Sequence, residues 1–159
     1  MHTIHRMALA AALLLGTTLA AHAQQPPPTG PSGDLMTPVG TWKTIDDKTG
    51  EAKSLVQISE VNGQLEGKVV KVLKSKQGPH PICDQCDGAR HNQPIEGMNI
   101  MWGVSKDDDV WDGGKILDPK TGKVYKVRLK MLDGGQKLDV HGYIGFALIG
   151  RSQVWERQN

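Results

Sequence analysis

The sequence has little of what marks several common protein classes. Two cysteines, four Trp, two Tyr and one Phe occur in 159 residues, and 19 basic against 17 acidic residues give a formal net charge of +2. That balance excludes a strongly electrostatic nucleic-acid-binding protein, which needs a clearly basic surface. The motifs G-x-S-x-G, P-loop and H-E-x-x-H are absent from the sequence. An enzyme is therefore not favoured, and no cofactor or metal is predicted.

Alanine is also scarce beyond the first 23 residues, where only Ala52, Ala89 and Ala147 occur. Glycine, in contrast, is abundant, with 19 residues in the chain. A sequence poor in Ala and rich in Gly, Val and Thr is typical of a β protein. No long window keeps a 3.6-residue hydrophobic period, so we expect helices to be minor.

The first 23 residues have the pattern of a secretory signal peptide. A short basic segment precedes the apolar run Met7–Leu15, and Ala21–Ala23 forms an A-x-A cleavage site. The run is too short for a transmembrane span, which needs about 20 apolar residues. We therefore predict an exported protein, periplasmic or secreted, that is cleaved after Ala23.

Residues 24–39 are rich in proline and are predicted to form a disordered tether. Five prolines lie between positions 26 and 38, with Gly, Ser and Thr among them. Such a segment cannot build a core and favours extended conformations. The remaining residues, 40–159, are predicted to form one domain.

Within this domain, short segments of alternating polarity are separated by turn signals. The pair Asn62–Gly63 between two such segments is a strong hairpin signal. About eight antiparallel strands fit an all-β fold, either a sandwich or a closed up-and-down barrel. We predict the barrel, with one long cysteine-containing loop over residues 74–94.

Several short runs of sequence carry a family resemblance. They are Gly40–Trp42, Cys83–Cys86, Trp111–Pro119, Gly142–Gly145 and Gly150–Trp155. Together they resemble the exported bacterial family called domain of unknown function 2147, over about residues 40–157. The run G-G-K-I-L-D-P is the most specific of them. This family implies no catalytic residues.

A second resemblance rests on the two ends of the domain. G-x-W on the first strand, with Arg157 late on the last strand, resembles the lipocalin-like (calycin) barrels. In a closed barrel with an even number of antiparallel strands, the last strand pairs with the first. Trp42 then lies beside Arg157, and we expect the guanidinium to cover the indole by a cation–π contact and to plug one barrel end.

The alternation of two strands predicts which side chains face the barrel interior. One strand carries Lys126, Arg128 and Lys130 on its opposite face, and lysine and arginine rarely lie buried without a partner. If the barrel holds a ligand, the inward faces and a nearby aromatic residue line its cavity. The predicted ligand-binding residues are Met98, Ile100, Trp102, Tyr125, Val127, Leu129, Met131 and Tyr143.

The only cysteines, Cys83 and Cys86, allow three interpretations. In an oxidising exported compartment a structural disulfide is the default. A thioredoxin-like redox pair would need a helix N-terminus to lower the thiol pKa, and no such element is predicted. The third is a metal site that adds His80 and His91 as ligands.

Two further features lie near the end of the chain. One is a basic stripe formed by Lys126, Arg128 and Lys130. Such a stripe is usually the solvated face of a strand, but it could also contact acidic headgroups or an acidic partner.

The other is the segment Tyr143–Ile149, which has glycines on both sides. Its apolar residues are predicted to form a flap at the barrel mouth.

These features favour a non-enzymatic exported protein that binds a small apolar or amphipathic molecule in a β-barrel. The alternative is a periplasmic protein-binding module, such as an inhibitor or immunity protein. A second alternative is an enzyme of unrecognised type. An open apolar interior would favour the small ligand, whereas a filled interior would favour the protein partner. No nucleic-acid partner and no transmembrane span are predicted.

Overall fold

The computed structural model describes residues 35–158, so the predicted signal peptide and most of the predicted tether lie outside the described residues. Within this range the chain is almost entirely strand. None of its helical segments is long and apolar enough to cross a membrane. The strands are β1 (Gly40–Ile45), β2 (Ala52–Val61), β3 (Gln64–Val72), β4 (Asn99–Asp107), β5 (Val110–Asp118), β6 (Lys123–Leu132), β7 (Lys137–Tyr143) and β8 (Gly150–Gln158).

Each strand pairs antiparallel with the next, and β8 pairs with β1 to close an eight-stranded barrel. Short 3-10 turns at Gly88–Arg90 and Asp133–Gly135 are the helical segments of the described chain. The predicted all-β, up-and-down barrel is therefore confirmed. Closure leaves no strand of the sheet as a free edge, which protects an all-β protein from edge-to-edge aggregation.

The turn between β2 and β3 shows how local sequence sets the topology. Asn62 and Gly63 have φ angles of 53° and 78°, both in the left-handed region that a two-residue type I′ hairpin requires. Val61 and Gln64 pair directly on either side of them. The hairpin predicted from the Asn–Gly pair is confirmed.

The antiparallel order gives the barrel two different ends. The connections 46–51, 73–98, 119–122 and 144–149 lie at one end, which we call the loop end. The tight turns 62–63, 108–109 and 133–136 lie at the other, which we call the closed end.

The chain that precedes β1 packs against the closed end. Pro38 is buried, and its carbonyl accepts a 2.7 Å hydrogen bond from Trp42 Nε1. The carbonyl oxygens of Leu35, Thr37 and Val39 accept hydrogen bonds from the terminal nitrogens of one guanidinium, that of Arg157. Residues 35–39 were assigned to the tether because the segment from 24 onward is rich in proline, but these contacts place them against the barrel.

Arg157 lies over Trp42 at this end. The two residues pair in the β1–β8 ladder, and the guanidinium carbon is 4.3 Å from the centroid of the indole ring. Nε of Arg157 also donates to the Gly135 carbonyl at 2.6 Å. Burial lowers the pKa of the Arg157 guanidinium, so these carbonyl partners replace water around the charge.

Candidate functional site

The central part of the barrel interior is packed. The side chains of Val127 and Leu129, predicted to line a ligand cavity, have no surface accessible to water, and Met131 is buried beside them. A void large enough for one water molecule would expose part of these side chains, so none borders Val127 or Leu129. The other fully buried large side chains are Trp42, Val56, Ile58, Val69, Met101, Val104 and Leu138.

The prediction that Trp102 faces the interior is wrong. Trp102 pairs with Lys115, and directly paired residues of antiparallel strands share a face. Lys115 is exposed, so Trp102 lies on the outer wall, where the guanidinium of Arg90 is 4.7 Å from its ring centroid. The register between β3 and β4 shifts near Gly103, whose φ is 71°. Because of this bulge, Met101 occupies the interior position. The predicted positions Met98 and Ile100 are buried in the core.

Tyr143 also lies on the outer wall rather than in the interior. It pairs with Lys126, which is exposed, whereas its neighbour Gly142 pairs with the buried Val127. Its ring stacks on His141, with centroids 5.8 Å apart. Tyr143 was included for its aromatic character, and the alternation of β7 gives the inward position to the glycine instead.

Asp112 is the centre of a polar network on this outer wall. Its carboxylate accepts hydrogen bonds from the Gly113 N–H at 2.6 Å, Arg128 Nε at 2.7 Å and the Tyr143 hydroxyl at 3.0 Å. Burial acts to raise the pKa of Asp112, but these donors outweigh it and hold the pKa below its usual value. Burial and the bond to Asp112 raise the pKa of Tyr143. The network joins β5, β6 and β7.

Six inward-facing side chains near the loop end are only half-buried, and we call this group the loop-end bowl. Its members combine hydroxyl, amide and aliphatic groups. They are Thr44, Ser54, Val72, Ile116, Tyr125 and Gln153.

The strand register shows that these residues face inward. Trp42 and Val56 are buried and paired, and the next inward positions toward the loop end are Thr44 and Ser54, which also pair. Ser54 in turn pairs with Val72. These residues therefore continue the interior face from the packed core to the loop end.

The bowl residues on the opposite side of the barrel also face inward. Ile116 pairs with the buried Met101 on one side and with Tyr125 on the other. Gln153 pairs with the buried Val140. Of the residues predicted from the sequence to bind a ligand, Tyr125 is thus the one that lies in the bowl.

Some polar groups of the bowl are already hydrogen-bonded within the protein. Thr44 Oγ1 and Ser54 Oγ are 2.9 Å apart, and Gln153 Oε1 accepts a long 3.4 Å bond from Trp155 Nε1. Within residues 35–158 the Tyr125 hydroxyl makes no hydrogen bond to another side chain or to the backbone. The bowl can therefore offer a hydroxyl and an amide to a bound molecule beside its aliphatic surface.

One ion pair crosses the rim of the bowl. β1 and β8 pair at Thr41–Lys43 and not beyond them toward the loop end. There, Arg151 Nε donates to an Asp47 carboxylate oxygen at 2.6 Å, joining β8 to the β1–β2 connection. This exposed pair spans a part of the wall that backbone hydrogen bonds do not hold.

Open depressions bordered by other described residues lie elsewhere. One of about 160 Å³ lies at the closed end and is bordered by Thr37, Leu65 and Trp111. The other, of about 230 Å³, lies on the outer wall of β2–β4 beside Glu66 and Lys68. Neither is bordered by the residues predicted to bind a ligand.

Cys83 and Cys86 form a disulfide. Of the three interpretations of this pair, the structure therefore favours the structural disulfide over the redox pair and the metal site. Cys83 Sγ is 3.2 Å from the Pro119 carbonyl, which attaches the long loop to the β5–β6 turn. His91 Nδ1 is 2.9 Å from the Cys86 carbonyl. Among the described residues, no group of three or more His, Cys, Asp or Glu side chains is placed to hold a metal ion.

Sequence reasoning missed the polar members of the bowl. Thr44 lies two residues after Trp42, and Gln153 lies two residues before Trp155, both of which are buried. Alternation alone would have placed them on the interior face. Their polarity concealed them, because polar side chains are not expected on a buried face.

The fold and the interior together define a lipocalin-like barrel. A family model described as "Uncharacterized protein conserved in bacteria (DUF2147)" matches residues 40–157. The chain belongs to this family, as its sequence runs predicted. No curated protein matches the sequence.

A solved structure shows the same architecture. It is protein HP1028 from the human pathogen Helicobacter pylori, described as belonging to the lipocalin family. The TM-score is 0.65 at 21% sequence identity, and the match covers 76% of this chain and 82% of that chain. At this identity the similarity shows the shared fold.

Proposed function

We propose that this protein is an exported, non-enzymatic binding protein, periplasmic or secreted, that holds a small amphipathic molecule in its loop-end bowl. Export is supported by the basic, apolar and A-x-A order of residues 1–23. A binding role is supported by the barrel type, since eight-stranded lipocalin barrels are wide enough to hold one small ligand.

The observation that carries this proposal is that the inward-facing side chains of a single strand become less buried toward the loop end. On β6, Leu129 and Val127 have no exposed surface, whereas Tyr125, the next inward residue toward the loop end, is half-buried. On β1, Trp42 is fully buried and Thr44 is not. On these two faces the interior thus becomes more accessible toward the loop end, and the packed residues form the floor of the bowl.

The chemistry of the bowl indicates an amphipathic rather than a purely apolar ligand. Val72 and Ile116 pack against the core and present aliphatic surface. Tyr125 and Gln153 add hydrogen-bonding groups, and polar groups in a small-molecule site fix the orientation of the ligand. A molecule with one apolar part and one hydrogen-bonding part fits this combination.

Gly142 provides a direct test. It pairs with Val127 and Arg151, and an added Cβ would lie 3.6 Å from Tyr125 Cβ, in ordinary van der Waals contact. In Gly142→Leu the new side chain should occupy the bowl and weaken binding of a dansyl-labelled fatty acid by more than about tenfold. Val154→Leu, at an exposed outer position of β8, is the matched control and should bind as the wild type does.

Fluorescence titration measures both affinities, and thermal melts establish that both variants are folded. Tyr125→Ala is a second variant that removes bowl surface without filling it, and it should weaken binding too. Unchanged affinity in folded Gly142→Leu and Tyr125→Ala would overturn the proposal, as would wild-type protein that does not bind the probe.

A protein-binding module is the second candidate, and the packed barrel centre favours it. A deep ligand cavity is not present beside Val127 and Leu129, and the disulfide holds a long loop whose residues Ile82, Asp84 and Gln85 are exposed. A pre-ordered loop loses less entropy on binding. Native mass spectrometry of protein isolated from its own compartment separates the two candidates, because a copurifying small molecule and a copurifying polypeptide differ in mass.

A further inference from the structure

The connection between β7 and β8 exposes an unusual amount of apolar surface. Leu148 is 99% exposed and Phe146 is 81% exposed, and Ile144 and Ile149 are also mostly exposed. We call these four residues the apolar tip. Scattered exposed apolar residues are common on proteins, but a contiguous group of large ones marks an interaction surface.

The apolar tip is held in an ordered turn. The Ile149 N–H donates to the Phe146 carbonyl at 3.0 Å. His141 Nε2 is 2.7 Å from the Ala147 carbonyl, which ties the turn to β7, and His141 Nδ1 contacts Ser152 Oγ at 3.0 Å. The backbone is therefore bonded inward while the large side chains point to solvent.

Positive charge lies beside the apolar tip. Lys126 pairs with Tyr143, the residue before the tip, and Lys115 pairs with Lys126. Lys120 lies in the β5–β6 connection, and Lys123 is the first residue of β6, at the same end of the barrel. We call the four the lysine cluster, and none of them forms an ion pair within residues 35–158.

Acidic groups offset part of this cluster. Asp118, the last residue of β5, pairs with Lys123, and its carboxylate accepts bonds from the Lys120 N–H and the Thr121 hydroxyl. Asp112 is paired with Arg128, and Asp47 is paired with Arg151. Asp84 and Asp87 are exposed in the loop that contacts Gly122, so the positive charge next to the apolar tip comes mainly from Lys115 and Lys126, which pair with each other.

We propose that the apolar tip and the lysine cluster dock the barrel, loop end first, onto an anionic lipid bilayer. The side chains of Phe146 and Leu148 enter the interface between headgroups and acyl chains, and the lysines contact the anionic headgroups. Peripheral binding of this kind depends on buried apolar area together with attraction to anionic lipids. The proposal is independent of the ligand assigned to the bowl.

Vesicle cosedimentation tests this inference. The wild-type protein should sediment with vesicles of phosphatidylglycerol and phosphatidylcholine, and at least about tenfold more weakly with pure phosphatidylcholine, since each lysine near an anionic surface contributes about fivefold. Phe146→Ser with Leu148→Ser should weaken binding by more than about 30-fold through the loss of buried apolar area. Lys123→Glu with Lys126→Glu should weaken binding and reduce its salt dependence.

Matched controls lie on other parts of the barrel. Val154→Ser changes an exposed apolar residue outside the tip, and Lys68→Glu reverses an exposed lysine on β3. Both should sediment as the wild type does. Wild-type protein that ignores anionic vesicles, or binding that survives the tip variant, overturns the proposal. Self-association that the tip variant abolishes, without vesicle binding, would assign the surface to a protein contact instead.

Discussion

The two ends of this barrel are built from different interactions. At the closed end, Trp42 is fully buried and Arg157 donates to four backbone carbonyls. At the loop end, the interior side chains are half-buried, and an exposed pair between Arg151 and Asp47 spans the gap between β1 and β8. The closed end is closely bonded, whereas the loop end leaves polar and apolar groups accessible.

Strand β8 shows how the alternation of a single strand contributes to both ends. Inward residues on β8 change from Trp155, which is buried, through Gln153 to Arg151, which is exposed. Increasing polarity along an inward face leaves the loop end accessible, because polar side chains tolerate contact with water. Binding residues commonly lie at such ends, positioned by a rigid scaffold.

The largest expected effect is loss of the closed-end core. Trp42→Ala should destabilise the fold by about 3–5 kcal/mol, the usual cost of truncating a buried Trp. Tyr125→Ala in the loop-end bowl should cost less than about 2 kcal/mol, because its side chain is only half-buried. Urea unfolding measures both, and equal losses would contradict the distinction between the two ends.

The next test compares two arginines of β8. Arg157→Leu removes the donors from four carbonyl groups, three of them partly buried, together with the cation–π contact, so we expect a loss of about 2–4 kcal/mol. Arg151→Leu breaks an exposed ion pair and should cost less than about 1 kcal/mol. Chemical denaturation at moderate salt compares them, and a larger effect for Arg151 would reverse our assignment of the stabilising end.

The disulfide gives a smaller effect, confined to the loop end. Replacing Cys83 and Cys86 by Ala should destabilise the protein by about 2 kcal/mol, because the closed loop is short. Amide hydrogen exchange should rise in the 73–98 connection and stay unchanged around Trp42. Faster exchange throughout the barrel would show that this loop supports the whole fold.

The smallest expected effects come from two carboxylates with lowered pKa values. Asp112→Asn should cost about 1–2 kcal/mol at neutral pH through weakened bonds to Arg128 and Tyr143. The pKa of Glu51 is lowered to about 2 by hydrogen bonds from Lys53 and Lys74, but the group is exposed, so Glu51→Gln should have the smaller effect.

The pH dependence follows from the direction of the Asp112 shift. A carboxyl whose pKa is lower in the folded protein adds stability above its unfolded value, near 3.8, and that stability is lost as the pH falls through the folded pKa. The difference between wild type and Asp112→Asn should therefore shrink below about pH 4. A difference that persists undiminished in acid would contradict the proposed network.

The barrel was predictable from sequence because its signals are local and repeated. The Asn62–Gly63 turn and the alternation of β6 need only neighbouring residues, and closure then places Trp42 beside Arg157. The family runs added an independent indication. These features depend on patterns that the linear sequence contains directly.

The site was predicted less well because it depends on irregularities. The bulge near Gly103 moves Trp102 to the outer wall, and nothing in the alternation of β4 reveals that shift. The proline content of residues 24–38 predicted a disordered tether, yet Arg157, more than a hundred residues away, binds the carbonyl groups of Thr37 and Val39. Contacts at such separation cannot be inferred from local composition.

The most direct test of the account is an amide NMR titration of the protein with a dansyl-labelled fatty acid. The account predicts that chemical-shift changes cluster at Thr44, Tyr125 and Gln153 and fade toward the buried Leu129 and Leu138. Changes centred on Leu129 and Leu138, or no changes at saturating probe, would contradict the claim that the loop-end bowl is the binding site.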